Sequence, residues 1–209
     1  MTYLSFGVSG GATSAGTFAL NKLLDARVTR ARDILIEELK LGSKQSADIA
    51  PEDAAAVTMR YMRAAIEGTA RLNLRLLAAV AAGQPASPSF YPDEFLAIAD
   101  SLASLRREEV ILLGVIQRQA RKFDFKIPND GNFWLACLAI LHNEHGISRD
   151  DADGYAASCL RSGFVTNLGG LYGMGHAYMP SARMKSFDKI MDVEGVMQRH
   201  TRAEPSAGS

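Results

Sequence analysis

The chain has 209 residues, with 23 Lys and Arg against 23 Asp and Glu, 47% hydrophobic side chains, two cysteines and one tryptophan. That length and apolar fraction suit one large domain or two small ones with a buried core. A net charge of zero excludes a surface that acts throughout as a platform for nucleic acid or anionic lipid, and leaves only local patches for such partners. Cys137 and Cys159 lie in apolar helical patterns, as small core residues of a reducing compartment do, so no disulfide framework and a cytoplasmic location are expected.

No charged side chain occurs from Met1 to Asn21, where Gly, Ser and Thr are frequent. The segment lacks the basic start and compact apolar stretch of a secretory signal. No window reaches the 18 or so consecutive apolar residues of a spanning helix. Residues 1–21 therefore read as a flexible uncharged segment, and membrane action through it is the weakest of the functions considered. From Phe18 a helical spacing sets in through Leu20, Leu23, Leu24, Val28, Ile34, Leu35 and Leu39, with Gly42 to end it. Lys22, Arg27, Arg30, Arg32, Glu37 and Glu38 form its polar side, with Asp25 and Asp33 placed for pairs within the helix. Residues 43–50 are a polar linker. Pro51, Glu52 and Asp53 suit a helix start, and one long helix is expected from about Glu52 to Ala82, with Gly68 as a kink or close contact.

Pro85 and Pro88 make 84–91 the natural boundary between a helical arm, 22–83, and a compact helical domain, 92–201. In that domain Pro92 opens a short helix, Ser104 stands as cap for a helix from Arg106 to Arg121, and Asn129-Asp130-Gly131 marks a turn. Phe133 to Leu141 is apolar almost all round, as the centre of a domain is. Ser148-Arg149-Asp150-Asp151 fits a capped helix start, and Gly163 a helix end. Phe164-Val165 and Ala177-Tyr178-Met179, separated by Gly169, Gly170, Gly173 and Gly175, read as a β-hairpin, followed by a helix from Pro180 to about Val193 and a disordered tail, 202–209. The fold class is thus mainly α: a multi-helix protein with one small C-terminal hairpin.

No local pattern carries catalysis. The glycine-rich run Gly7 to Gly16 lacks the Gly-Lys-Ser/Thr ending of a phosphate loop and the spacing of a dinucleotide fingerprint, so no cofactor is expected. Gly7, Gly11 and Ala15, four apart, instead form a small-residue face suited to close helix packing. His142 and His145 are three apart, but neither His176 nor a cysteine is placed by sequence to complete a metal site, and imidazoles also suit a helix C-terminus. Neither cysteine has a basic neighbour at helical spacing that would make it a nucleophile. The densest remaining cations, Arg183, Lys185 and Lys189, with Arg199 and Arg202 beyond them, are the candidate nucleic-acid contacts, though Asp188, Asp192 and Glu194 are interspersed.

Leu160-Arg161-Ser162-Gly163-Phe164-Val165, running from a helix into the hairpin, and Tyr178-Met179-Pro180-Ser181, running from the hairpin into a helix, resemble the closing part of a winged-helix domain. The resemblance covers about the last third of the chain and implies a wing at the hairpin. The chain departs from that pattern in two ways. Only one helix is evident between His145 and Gly163, and it leads with Asp150, Asp151 and Asp153 where a recognition helix presents Arg, Lys, Asn or Gln to bases. Separately, Leu102-Ala103-Ser104-Leu105-Arg106-Arg107-Glu108-Glu109-Val110-Ile111-Leu112-Leu113 resembles uncharacterised bacterial helical proteins of prophages and of alpha-type abortive infection, which implies a non-enzymatic, defence-related bacterial protein. The leading expectation is a non-catalytic interaction protein that binds another protein or itself. A nucleic-acid-binding regulator using the hairpin and the basic helix after it is the alternative.

Overall fold

The computed structural model describes residues 10–41, 51–83, 92–128, 132–170 and 176–203. Among these the fold is mainly helical, with a two-stranded antiparallel hairpin near the C-terminal end. The first helix, α1 (Gly10–Leu41), has 32 residues and spans about 48 Å. It starts at Gly10 rather than near Phe18, so residues 10–21, flexible by composition, are helical. The helix expected over Glu52 to Ala82 is two helices, α2 (Pro51–Glu67) and α3 (Arg71–Gly83). Gly68 takes φ +91°. Its N–H donates to the Ala65 carbonyl at 3.2 Å, and that of Thr69 donates to Ala64 at 3.0 Å, the paired closure of a helix end through a left-handed residue. The gap is covered from α1, where the Arg27 guanidinium donates to the Ile66 carbonyl at 3.0 Å.

Next come α4 (Pro92–Ala103) and α5 (Arg107–Lys122). Ser104 does not cap α5. Its hydroxyl donates back to the Ser101 carbonyl at 3.0 Å, Arg106 holds the cap position, and the Arg106 N–H donates to Glu109 Oε2 at 2.8 Å. The expected centre also moves. In α6 (Asn132–His145) only Phe133, Trp134, Cys137, Leu138 and Leu141 are buried, and Leu135 is exposed. The continuously buried stretches are Leu72 to Val80 in α3 and Leu112 to Gln117 in α5. Helix α7 (Arg149–Cys159) starts where Ser148 Oγ accepts the Asp151 N–H at 3.2 Å, and a 3-10 turn, Leu160–Ser162, ends on Gly163 at φ +71°.

The strands β1 (Val165–Gly170) and β2 (His176–Pro180) pair Val165 with Pro180, Thr166 with Met179, Asn167 with Tyr178 and Gly170 with His176, with the register shifting after Asn167. Tyr178 packs edge-on against Trp134 of α6 at 5.0 Å, and Phe164 lies 4.7 Å from Phe187. The helix expected from Pro180 to Val193 is again two. Pro180 ends β2, Ser181 Oγ caps α8 (Ala182–Asp188), and α9 (Val193–Ala203) takes in positions 202 and 203 of the expected tail. The linker 43–50, the boundary loop 84–91, the turn 129–131, Gly173, Gly175 and the tail from 204 lie outside the described residues, as does Gly7.

Buried side chains from Ala31 of α1 to Val196 of α9 form one cluster, so the arm and the compact domain share a core. α3 packs on α1, α4 and α9, and α2 packs on α4. Two polar devices lock the layers. Gln117, fully buried in α5, donates to the Met191 carbonyl at 2.7 Å and accepts the Val193 N–H at 2.9 Å, fixing the α8–α9 turn. Glu38 of α1, only 2% exposed, accepts from Arg75 of α3 at 3.0 Å and from Arg199 of α9 at 3.0 and 2.6 Å.

Removing one partner of a buried ion pair strands the other charge. Glu38→Ala is therefore expected to cost about 3–5 kcal/mol in urea unfolding, whereas Glu67→Ala, which breaks only the exposed Arg63 pair, costs less than about 1 kcal/mol. The glycines give a second contrast. A Cβ at Gly83 would lie 2.1 Å from the Ile190 carbonyl oxygen, while one at Gly154 meets nothing within 4 Å. In thermal melts Gly83→Ala destabilises by about 1–3 kcal/mol or more, and Gly154→Ala stabilises by up to about 1 kcal/mol.

Candidate functional site

The buried stripe of α1 is Ala31, Ile34 and Glu38. Stepping back from Ala31 by four and then three residues along the helix gives Arg27, Leu24 and Leu20, with Leu23 beside them, so the core-facing stripe continues in phase beyond the helices that cover it. Leu24 is half-buried, Leu23 is 48% exposed and Leu20 56%. Phe18, on the opposite side by spacing, is 72% exposed. Met59 and Ile66 of α2 are further exposed apolar side chains.

The three cations singled out as nucleic-acid contacts are placed differently from one another. Arg183 is part of the fold: its Nη1 donates to the Ser162 carbonyl at 2.6 Å, and its guanidinium lies 5.2 Å from the centre of the Phe164 ring. Lys185 and Lys189 are exposed on and just after α8. Arg199 is committed to Glu38, and Asp188 and Asp192 are paired with Arg121 of α5. α6 and α7 are joined by only Gly146, Ile147 and Ser148, with Gly146 at φ +67°. The sequence therefore does contain a helix–turn–helix step ahead of the hairpin, formed with α6. On α7, however, Asp150 and Asp151 are exposed and would meet phosphate with like charge.

His142 and His145 are both exposed. Glu144 between them is paired with Arg118 at 2.8 Å, and no group of three or more metal-ligating side chains exists among the described residues. Cys137 and Cys159 are buried free thiols, and burial pushes both up to about 12. Among the described residues no helix is long and apolar enough to cross a membrane.

Spacing along the chain could not reveal a cluster assembled from three separate helices. Arg71 at the start of α3, Arg106 and Arg107 at the start of α5, and His200 near the end of α9 line one cleft of about 460 Å³. Arg107 also borders a cleft of about 500 Å³ with Ile111, Val115 and Met197. No family model, curated protein or solved structure matches this chain.

The buried thiols make a pH-dependent prediction. Above pH 9.0 the unfolded chain ionises its cysteines while the folded one holds them protonated, so stability falls as pH rises from there toward the folded values. The slope is at most about 1.4 kcal/mol per pH unit for each thiol. Denaturant titrations at pH 8, 9 and 10 check it, and a thiol reagent at pH 8 is expected to label the protein only after urea is added.

Proposed function

We propose that this chain is a non-catalytic interaction protein that pairs with a second copy of itself through the N-terminal part of α1. The observation that carries the reading is the overrun of the α1 stripe: Leu20, Leu23 and Leu24 continue a core-facing row past the end of the core. Composition adds a reason for a partner. Gly10, Gly11, Thr13, Ser14, Gly16 and Thr17 are poor helix formers, and a helix end without packing is weakly stable in water. A second helix laid along the row supplies the missing burial.

Charge favours a second copy as the occupant. A two-fold interface sets the same patch against itself, so a charged patch would repel its own copy. No charged residue occurs from Gly10 to Asn21, and the first two beyond, Lys22 and Asp25, fall on the side away from the row by helical spacing. Two antiparallel α1 helices bring the leucines of one against those of the other without opposing like charges. In the bacterial, defence-related setting implied by the resemblance at Leu102–Leu113, such pairing is a means of assembly that needs no chemistry.

Size-exclusion chromatography with light scattering across a concentration series is expected to show a dimer. The double variant Leu20→Glu, Leu23→Glu is expected to run as a monomer with its unfolding midpoint nearly unchanged, because both side chains lie outside the core and surface changes usually stay within about 0.5 kcal/mol. A wild-type monomer at every concentration, or a protein recovered on liposomes in flotation instead of paired in solution, overturns the reading.

A further inference from the structure

We propose that the recess between α5 and α9 binds a small amphipathic acid, an unbranched apolar chain that carries one carboxylate. Arg107, Ile111, Gly114 and Val115 recur at helical spacing on one side of α5, and Glu194, Met197 and Thr201 do so on α9, so each helix turns one stripe toward a shared cleft of about 500 Å³. Small-molecule sites span about 300–1,000 Å³. The floor of the cleft is apolar. Val115 is buried, and Ile111 and Met197 are half-buried, so the apolar atoms lie in a hollow and do not stand out as a ridge for a partner helix. Gly114 keeps that hollow open. It is buried inside α5 with a backbone that any residue adopts, and a Cβ there would meet only ordinary contacts, 3.6 Å from Val193 Cγ1 and 3.7 Å from Met197 Sδ. Glycine is a poor helix former, and neither strain nor crowding calls for it at this position. What the missing side chain supplies is room between the two stripes.

The charges on the rim select an acid and orient it. α5 and α9 run antiparallel, as the pair Arg118–Glu194 and the approach of Gly114 to Met197 show. Arg107, at the start of α5, and Arg202, in the last turn of α9, therefore stand at the same end of the cleft. Neither has a hydrogen-bond or ion-pair partner among the described residues, and both are exposed. Glu194, the acid among the lining residues, lies toward the other end and is held by Arg118 at 2.9 Å. A carboxylate at the Arg107 and Arg202 end takes charge-assisted hydrogen bonds from the guanidinium groups, and its chain runs over Ile111, Gly114 and Met197, away from them. From Arg107 to Val115 the helix rises about 12 Å, the length of an acyl chain of about eight to ten carbons.

Isothermal titration with octanoate, butanoate and octan-1-ol tests this. Octanoate is expected to bind one-to-one with sub-millimolar affinity, at least about tenfold tighter than butanoate because four more methylenes leave water. The variant Arg107→Ala, Arg202→Ala, which changes two exposed side chains, weakens octanoate by at least about tenfold and leaves octan-1-ol unchanged. Gly114→Met fills the hollow and removes the binding of both. Its melting curve checks that it folds, and the arginine variant decides the matter if it does not. Leu20→Glu, Leu23→Glu leaves octanoate binding unchanged, which separates this site from the pairing of α1. No octanoate binding by the wild type, equal affinity for octanoate and butanoate, or full binding by the arginine variant overturns the proposal. Loss of binding in the leucine variant overturns it as well, by placing the chain on the exposed row of α1.

Discussion

The carboxylate of Glu38 ties together α1, α3 and α9 at one buried point. It is almost fully buried and accepts from Arg75 of α3 and Arg199 of α9, while the Tyr61 hydroxyl of α2 donates to the Ala31 carbonyl of the same helix at 2.8 Å. Burial of that phenol also holds its pKa above the usual range. A buried charge is costly unless its partners are fixed. The arrangement therefore selects one position of α1 along α3 and one of α9 across both. Arg75 Nε has no hydrogen-bond partner, so the cluster favours a unique arrangement more than it adds stability.

The candidate pairing surface on α1 follows from that selection. Sliding α1 by one turn would bring Arg27 or Leu35 to the place of Ala31 and would strand Glu38, so the overrun of the leucine row is the counterpart of the ion pair at the other end of the helix. On α9, the bonds from Arg199 to Glu38 fix how that helix lies against α1. A variant that loosens Glu38 disturbs the placement of α1 and α9 together, whereas a variant at Leu20 leaves that placement alone.

Local chemistry was legible in the sequence wherever one residue decides a backbone turn. Ser148 caps α7, Gly163 ends the turn before β1 in the left-handed region, and Pro51 opens α2, because each acts within four residues of itself. Gly68 was located but misread. A helix-long apolar period runs through it, and the left-handed turn there is covered by a contact from Arg27, distant in sequence. Glu38 was assigned to a polar face for a similar reason. A carboxylate at a core-facing position carries no local sign of the Arg199 that will meet it 161 residues later. The same range limit hid the cleft, whose cations come from three helices that are not neighbours in sequence.

The helix–turn–helix step of α6 and α7 shows how a shape and its chemistry can part. A three-residue turn at Gly146 joins α6 to α7, and a hairpin follows Gly163, an order of elements that some groove-binding proteins also have. Yet Asp153 accepts the Trp134 indole N–H at 3.1 Å, Asp151 accepts the Ser148 hydroxyl at 2.6 Å, and Arg183 braces the hairpin through Ser162 and Phe164. The acidic residues there serve as caps and anchors for α6 and α7, and a cation at the base of the hairpin serves the fold.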